Sequence, residues 1–259
     1  MPIEVINKIA SNEDAIQYIY RTYGDAHSVY SADVREPTIG RDKYNQYIID
    51  RFFPSERDAE ILEVGCGDGK LLQAALNCDY TNILGIDASP SMIEIARRRV
   101  AQSDGFPAER IQMADATDFL ENRPSGKLDL VVAIDVVEHF QLYEILNFLF
   151  AVKRALKPGG KLLLHVPNGS SSHHGRVLHG DITHYRAFTD KSLHQLAQIG
   201  GFHSLDVFES APVKYGLKSK LRALLWALAR SAEVTKLAVE TGQVRGHILT
   251  INLFALMTK

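Results

Sequence analysis

Residues Ile61 to Leu72 read ILEVGCGDGKLL, an apolar run that meets an acidic residue and then three glycines alternating at Gly65, Gly67 and Gly69. That order dictates a strand, a tight turn and a helix. Glycine lets the backbone turn sharply and lets a ligand come close where a Cβ would collide. A dinucleotide fingerprint, G-x-G-x-x-G, needs a glycine at position 70, and that residue is Lys70. The spacing is G-x-G-x-G instead, which disfavours an NAD-dependent oxidoreductase.

Further strand signals follow at regular intervals. NILGIDAS (Asn82 to Ser89) ends in Asp87, about twenty residues beyond the loop, where nucleotide folds place a carboxylate for ribose hydroxyls. ERIQMADATDF, LDLVVAIDVVEHF and LKPGGKLLLHVPN supply a third, fourth and fifth strand ending near Asp115, Asp135 and Asn168. Helical patterns at Lys70 to Asn77, Pro90 to Gln102 and Gln141 to Leu156 alternate with them, the second opened by Ser89 with Pro90 at its first position. Alternation of this kind predicts a doubly wound α/β sheet. Phe202 to Glu209 and His247 to Met257 are two more strand candidates.

With Glu63 two residues before the first glycine, the loop resembles motif I of the class I S-adenosylmethionine-dependent methyltransferases. The four later segments resemble that family's motifs in order, and the likeness covers roughly Glu60 to Phe202. It implies a seven-stranded sheet of order 3-2-1-4-5-7-6 with strand 7 antiparallel. It also implies S-adenosylmethionine as cofactor, held at Glu63, Gly65, Cys66, Gly67, Asp87, Ala88, Met92, Asp115, Ala116 and Ile134. In this scheme Asp115 takes the adenine amine and the Ala116 backbone a ring nitrogen. The segment from His27 to Glu36, the HVPNGSS and GDITHYRAFT runs and the GLKSKLRALLW insertion resemble one branch, the methyltransferases of bacterial surface-glycan assembly. That branch implies a sugar, nucleotide sugar or glycan hydroxyl as acceptor. A small-molecule or quinone O- or N-methyltransferase shares every cofactor motif, and a non-catalytic subunit that only binds the cofactor keeps Glu63, Asp87 and Asp115 as well.

The domain reading is an N-terminal helical cap over residues 1–56, with a helix at Asp14 to Tyr23, and a methyltransferase domain over 57–259. A helical insertion at about 212–244 separates strands 6 and 7. Within it Leu217, Leu221, Leu224, Leu225 and Leu228 share one helical face, with Lys218, Lys220, Arg222 and Arg230 around it. Trp226 and Leu237 lie roughly opposite. This helix admits three readings: a buried lid or homodimer element, a peripheral membrane or lipid-linked substrate contact through 217–237, or plain surface.

With 29 basic against 31 acidic residues, charge is balanced, and nucleic acid is not expected as a partner. Cys66 and Cys78 lack disulfide or metal spacing. The start lacks the basic and apolar regions of a signal peptide, so a cytoplasmic protein is expected.

Methylating a hydroxyl requires removal of a proton by a group within hydrogen-bond reach. His184, in the run G-D-x-T-H-x-R-x-F-T with Asp181 as orienting carboxylate, is the first candidate base, and His139 of the EH pair is the second. Each has a structural alternative, bracing a loop or starting a helix. His173, His174 and His179 are irregularly spaced without carboxylates, so no metal is expected. Arg176 and Arg186 are candidates for gripping a phosphate or carboxylate on the acceptor.

Overall fold

The computed structural model describes residues 14–16, 18–20, 38–101 and 106–259. Residues 14–16 and 18–20 are helical. The rest of the expected cap before Thr38, including the His27 to Glu36 segment, lies outside the described residues.

Seven strands form one sheet in the order β3-β2-β1-β4-β5-β7-β6. They are β1 Ile61–Val64, β2 Ile83–Asp87, β3 Ile111–Met113, β4 Leu128–Ile134, β5 Leu156–Pro167, β6 Ser204–Glu209 and β7 Asn252–Thr258. The helices are α1 Thr38–Phe52, α2 Lys70–Leu76, α3 Pro90–Val100, α4 Ala116–Glu121, α5 Leu142–Ala155, α6 His174–Leu178, α7 Asp190–Ile199 and α8 Leu217–Thr241. The expected strand order is borne out. The chain forms two compact units, Met1–Val132 and Ala133–Lys259.

In the first unit β1 pairs parallel with β2, and β2 parallel with β3. Ile61, Leu62 and Val64 are buried, as are Ile83 and Ile86, the continuous apolar character of parallel strands covered on both faces. Arginines of α3 fasten the unit. Arg97 donates from Nε and Nη2 to the Ile111 carbonyl at 3.0 and 2.7 Å, and Arg99 Nε donates to the Asp68 carbonyl at 2.7 Å. Gly85 sits in tight packing, since a Cβ there would stand 2.5 Å from Leu72 Cδ1 and 3.1 Å from Cys66 Cβ and would push both side chains aside. Ile48, Ile49 and Phe52 of α1 are buried too.

In the second unit β7 runs antiparallel to both β5 and β6, with Leu164 opposite Ala255 and Val207 also opposite Ala255. β7 begins at Asn252 rather than His247. The backbone before it is taken by Asn168, whose Nδ2 donates to the Ile248 and Thr250 carbonyls, each at 2.8 Å. Thr189 opens α7 by a reciprocal cap with Ser192, at 3.1 Å from the Ser192 N–H and 2.9 Å back to Ser192 Oγ.

α8 turns the face of Ser219, Ala223 and Trp226 inward. Ser219 and Ala223 are buried and Trp226 and Leu237 half-buried, whereas Leu217, Leu221, Leu224, Leu225 and Leu228 are all exposed. A wide tryptophan over small residues allows close approach, while the leucine stripe, the stronger signal in the sequence, lies outward. Arg230 ties the helix to β6 through Nε to Glu209 at 2.9 Å and Nη2 to the His247 carbonyl at 2.9 Å. Among the described residues no helix is long and apolar enough to cross a membrane.

Candidate active site

The first unit carries the glycine loop. Gly65, Gly67 and Gly69 all have positive φ, at 67°, 50° and 76°, which non-glycine residues rarely adopt. A Cβ on Gly69 would press on Ala96 Cβ at 3.0 Å, so that glycine serves helix packing. A Cβ on Gly67 would meet no atom within 4 Å. Its positive φ, not packing, is what asks for glycine there.

Asp87, at the end of β2, holds the loop from below. The Gly67 N–H donates to its Oδ2 at 2.9 Å and the Ser89 N–H to its Oδ1 at 2.8 Å. Burial pushes the carboxyl up and those two backbone bonds oppose the shift. Each oxygen has a second lone pair for a ligand hydroxyl. Cys66 follows Gly65 in the loop. Its thiol is buried beside Gly85 and pushed far up by burial and by the charges of Glu63 and Asp87, so only its backbone is left to face a ligand. Asp115 caps α4, accepting from the Thr117 and Asp118 N–H groups at 2.8 and 3.0 Å, both on Oδ1. Ala116 is buried, Ala88 exposed, and Met92 and Ile134 half-buried.

Glu63 is nearly inaccessible, and its Oε2 is buried without a hydrogen-bond partner. Burial drives its pKa well above the ordinary value, the charges of Asp68 and Asp87 add to that, and a bond from the Leu72 backbone opposes it. A carboxyl raised on folding stabilises below its unfolded pKa, near 4.5, and that contribution is lost as pH rises through the folded value. Glu63→Gln is therefore expected to raise the melting temperature of the ligand-free chain at pH 8 by at least about 2 °C, the scale of 1 kcal/mol at this size. The gain should shrink toward pH 5. A melting curve unchanged at pH 8 would show that the carboxylate is not strained there.

The second unit gathers the histidines. Asp135 follows β4 with φ 54°, a sparsely populated conformation for a residue with a Cβ. Its Oδ1 accepts from His165 Nδ1 at 2.7 Å, and Ser210 Oγ lies 3.1 Å from His165 Nε2. The chain then makes a short turn at Val137–His139. After β5, residues 169–187 form an excursion closed at its base by a bridge between Asn168 and Phe188, with the Gly169 N–H donating to the Phe188 carbonyl at 2.7 Å. The Tyr185 N–H donates to the Glu138 carbonyl at 2.8 Å, fixing the excursion to the turn.

His139 and His184 meet there, ring centroids 4.6 Å apart and edge to face. The expected pairing of Asp181 with His184 is not what is found. Thr183 Oγ1 donates to Asp181 Oδ1 at 2.6 Å, and the Thr183 N–H donates to the same oxygen at 2.9 Å. Burial alone would push Asp181 up, but these two bonds and the nearby His139 and His184 bring it below its ordinary value. An ionised carboxylate only accepts. The Thr183 proton is thus committed, and its oxygen accepts from His139 Nδ1–H at 2.7 Å. His184 instead turns its Nδ1 to the Val177 carbonyl at 2.9 Å. A carbonyl also only accepts, so in both neutral imidazoles the lone pair sits on Nε2. The sequence places Asp181 two residues before Thr183, which is the spacing of an Asx turn, and that spacing rather than proximity to His184 was the informative signal.

Other candidates separate. His174 Nδ1 bonds the Ser171 carbonyl at 3.0 Å and His173 Nδ1 the Ser172 hydroxyl at 3.1 Å, both local contacts. Arg176 is exposed. Arg186 is half-buried with an Nε that has no hydrogen-bond partner.

These features agree with comparison to known proteins. Residues 39–207 match the methyltransferase domain family. A ubiquinone biosynthesis O-methyltransferase of Xanthomonas oryzae pv. oryzae is 30% identical over 110 residues, covering 42% of this chain and 44% of that protein. A probable S-adenosylmethionine-dependent methyltransferase of Mycolicibacterium smegmatis is 28% identical over 156 residues, 59% of this chain and 56% of that one. The chain thus spans about half the length of these curated relatives. Among solved structures, a SAM-dependent methyltransferase from Archaeoglobus fulgidus superposes with TM-score 0.61 at 18% identity over 84% of this chain and 94% of that one. Haemonchus contortus phosphoethanolamine N-methyltransferase 2, solved with S-adenosyl-L-methionine, gives 0.58 at 22% identity over 83% and 52%. Strand order, glycine loop and family match converge: the chain belongs to the methyltransferase domain family and has the class I S-adenosylmethionine-dependent fold.

Proposed function

We propose that this chain transfers the methyl group of S-adenosylmethionine to a hydroxyl oxygen of a small organic acceptor. The observation that carries the reading is the pair His139 and His184, whose Nδ1 atoms are both engaged so that both basic lone pairs lie on Nε2. An amine acceptor can arrive deprotonated, whereas a hydroxyl must lose a proton, and paired imidazoles suit that demand.

The first unit fits the cofactor. Gly65, the Cys66 backbone and Gly67 would lie along its methionine part, with the orphaned Glu63 Oε2 as an acceptor for the ammonium. Asp87, with Ala88 and Met92 beside it, would take the ribose hydroxyls. Asp115 and Ala116 would take the adenine. When bound, the sulfonium supplies an already activated methyl group. The protein's work is then alignment and exclusion of water, worth about 7–11 kcal/mol.

Asp87→Ala removes the ribose acceptor and also strands the Gly67 and Ser89 amides that it holds. Each buried group left unpaired costs about 1–3 kcal/mol. Affinity for S-adenosylmethionine, measured by calorimetry, is expected to fall at least about tenfold, and unchanged affinity would remove Asp87 from the site.

The name of the Xanthomonas relative, an O-methyltransferase of ubiquinone biosynthesis, favours a phenolic acceptor. A sugar hydroxyl is the second reading, supported by the HVPNGSS and GDITHYRAFT runs. Incubation of the purified chain with methyl-labelled S-adenosylmethionine and three acceptor sets, catechol-type phenols, nucleotide sugars and small amines, separates these. Label is expected in phenol ethers, and label in sugar ethers would select the second reading. Transfer to amines alone, or tight cofactor binding with no transfer to any acceptor, would sink the hydroxyl reading.

A further inference from the structure

Glu138, His139 and His184 each offer one ligand atom, and the three atoms lie within 4.8 Å of one another. We propose that these residues hold a divalent transition-metal ion, with open coordination positions for the acceptor's oxygen. The inference rests on the hydroxyl reading above and changes the imidazoles' part in it: their lone pairs would bind the ion, and the ion instead of an imidazole base would receive and acidify the hydroxyl.

Four observations carry it. The first is the donor set, since two imidazoles and one carboxylate suit zinc, manganese, iron or cobalt, and three protein ligands leave room for exogenous oxygen. The second is Glu138 itself. It is 1% exposed, yet its Oε2 has no hydrogen-bond partner. Burial pushes this carboxyl well above its ordinary value, with Asp135 and Asp181 adding charge repulsion. A buried carboxyl with an unsatisfied oxygen is costly unless a cation or donor meets it.

The third is the arrangement behind the imidazoles. Metal-binding histidines usually donate their second N–H to a carbonyl or carboxylate, which fixes ring orientation and tautomer. Here His184 Nδ1 faces the Val177 carbonyl at 2.9 Å, and His139 Nδ1 faces Thr183 Oγ1, which itself bonds Asp181. The fourth is support from the backbone. The Tyr185 N–H to Glu138 carbonyl bond joins the two segments that supply the ligands. Ligand atoms around one ion at about 2.1 Å stand at most about 4.2 Å apart, so only a small inward turn of the side chains is needed.

The chemistry balances without another reactant. A cation lowers the pKa of a hydroxyl bound to it. The acceptor's proton leaves to water, its oxygen lone pair forms the C–O bond, and the electron pair of the broken S–CH3 bond returns to sulfur as the neutral thioether.

The test uses the whole chain, dialysed against a chelator and then titrated with Co2+ under visible absorbance and with Zn2+ by calorimetry. One ion per chain is expected, with ligand-field bands of a nitrogen- and oxygen-coordinated cobalt. Glu138→Gln and His184→Asn are each expected to weaken binding at least 100-fold. Thr183→Val, one bond removed from the ion, should weaken it about 10- to 100-fold, and Thr183→Ser should restore it. The double variant His173→Asn with His174→Asn should bind as the parent does. Circular dichroism and melting curves identify any variant that fails to fold, and His184→Asn, at a half-buried position, remains informative if Glu138→Gln is lost. No stoichiometric binding by the parent chain, unchanged affinity in folded Glu138→Gln and His184→Asn, or loss of binding in the His173 and His174 variant would overturn the site. Label transfer to a hydroxyl by metal-free protein at the full rate would remove the ion while leaving the hydroxyl reading intact. Metal binding by a chain that methylates only amines would do the reverse.

Discussion

Gly67→Val is expected to weaken S-adenosylmethionine binding by at least about 100-fold while leaving most of the fold in place. Two facts make the effect separable. At φ 50° a β-branched residue is strained, a local cost of about 1–3 kcal/mol. The added Cβ has no protein atom within 4 Å. The volume it takes is the volume a ligand would need, and the strain also pulls on the Gly67 N–H bonded to Asp87. The contrasting variant is Gly85→Ala, whose Cβ would overlap Leu72 Cδ1 and press on Cys66. That change should lower the melting temperature while leaving the loop free to bind the cofactor, with overpacking costing about 1–3 kcal/mol. Calorimetry and thermal melts of the two proteins give the comparison. Normal cofactor affinity in Gly67→Val would mean that this glycine only turns the chain.

Much of the fold was legible because its signals are local. A run such as LDLVVAI, flanked by helical patterns, fits a strand covered on both faces, and Leu130, Val131, Val132 and Ala133 are indeed fully enclosed. Ser89 with Pro90, and Thr189 before α7, mark helix starts by the chemistry of the first turn alone. The start of β7 was not legible. Residues 247–251 have strand composition, but their carbonyls and amides are claimed by Asn168, Arg230 and Glu209, and no sequence pattern announces such distant claims. The helix α8 was legible within the expected insertion, but which of its faces meets the protein was left open. Periodicity locates an apolar stripe, but it does not say whether the stripe or the small residues Ser219 and Ala223 face the protein.

The loop geometry on which the proposed cofactor half rests was readable from the sequence, since Gly65, Gly67 and Asp87 follow from fixed spacings along one strand-turn-helix unit. The histidine half depended on tertiary contacts. His139 and Thr183 stand 44 residues apart and meet at 2.7 Å, and Glu138, read as part of a general EH pair, becomes distinctive only through its burial. Asp181 precedes His184 by three positions, which invited a direct pairing. The hydroxyl between them in sequence takes that carboxylate and passes its influence to the other imidazole.

That rearrangement changes the expected ranking of variants. With His184 as a lone base oriented by Asp181, His139→Ala should cost less than His184→Ala. With both imidazoles held at Nδ1 and both lone pairs on Nε2, each single alanine variant is expected to lower turnover by roughly 100-fold or more. Cofactor affinity should stay nearly unchanged in both, because the glycine loop and Asp87 are untouched. Groups that act as a unit lose most of their effect at the first deletion, so the double variant should be little worse than either single one. Thr183→Val tests the connection. It leaves both rings in place but removes the hydroxyl that fixes the His139 tautomer, so turnover should fall about tenfold with KM for the acceptor little changed, and Thr183→Ser should recover it. If His184→Ala alone is inactive while His139→Ala and Thr183→Val turn over normally at saturating acceptor, the Asp181–Thr183–His139 chain is a brace for the loop. Normal turnover in the double variant would show that alignment of the acceptor suffices, as for an amine or an already ionised oxygen.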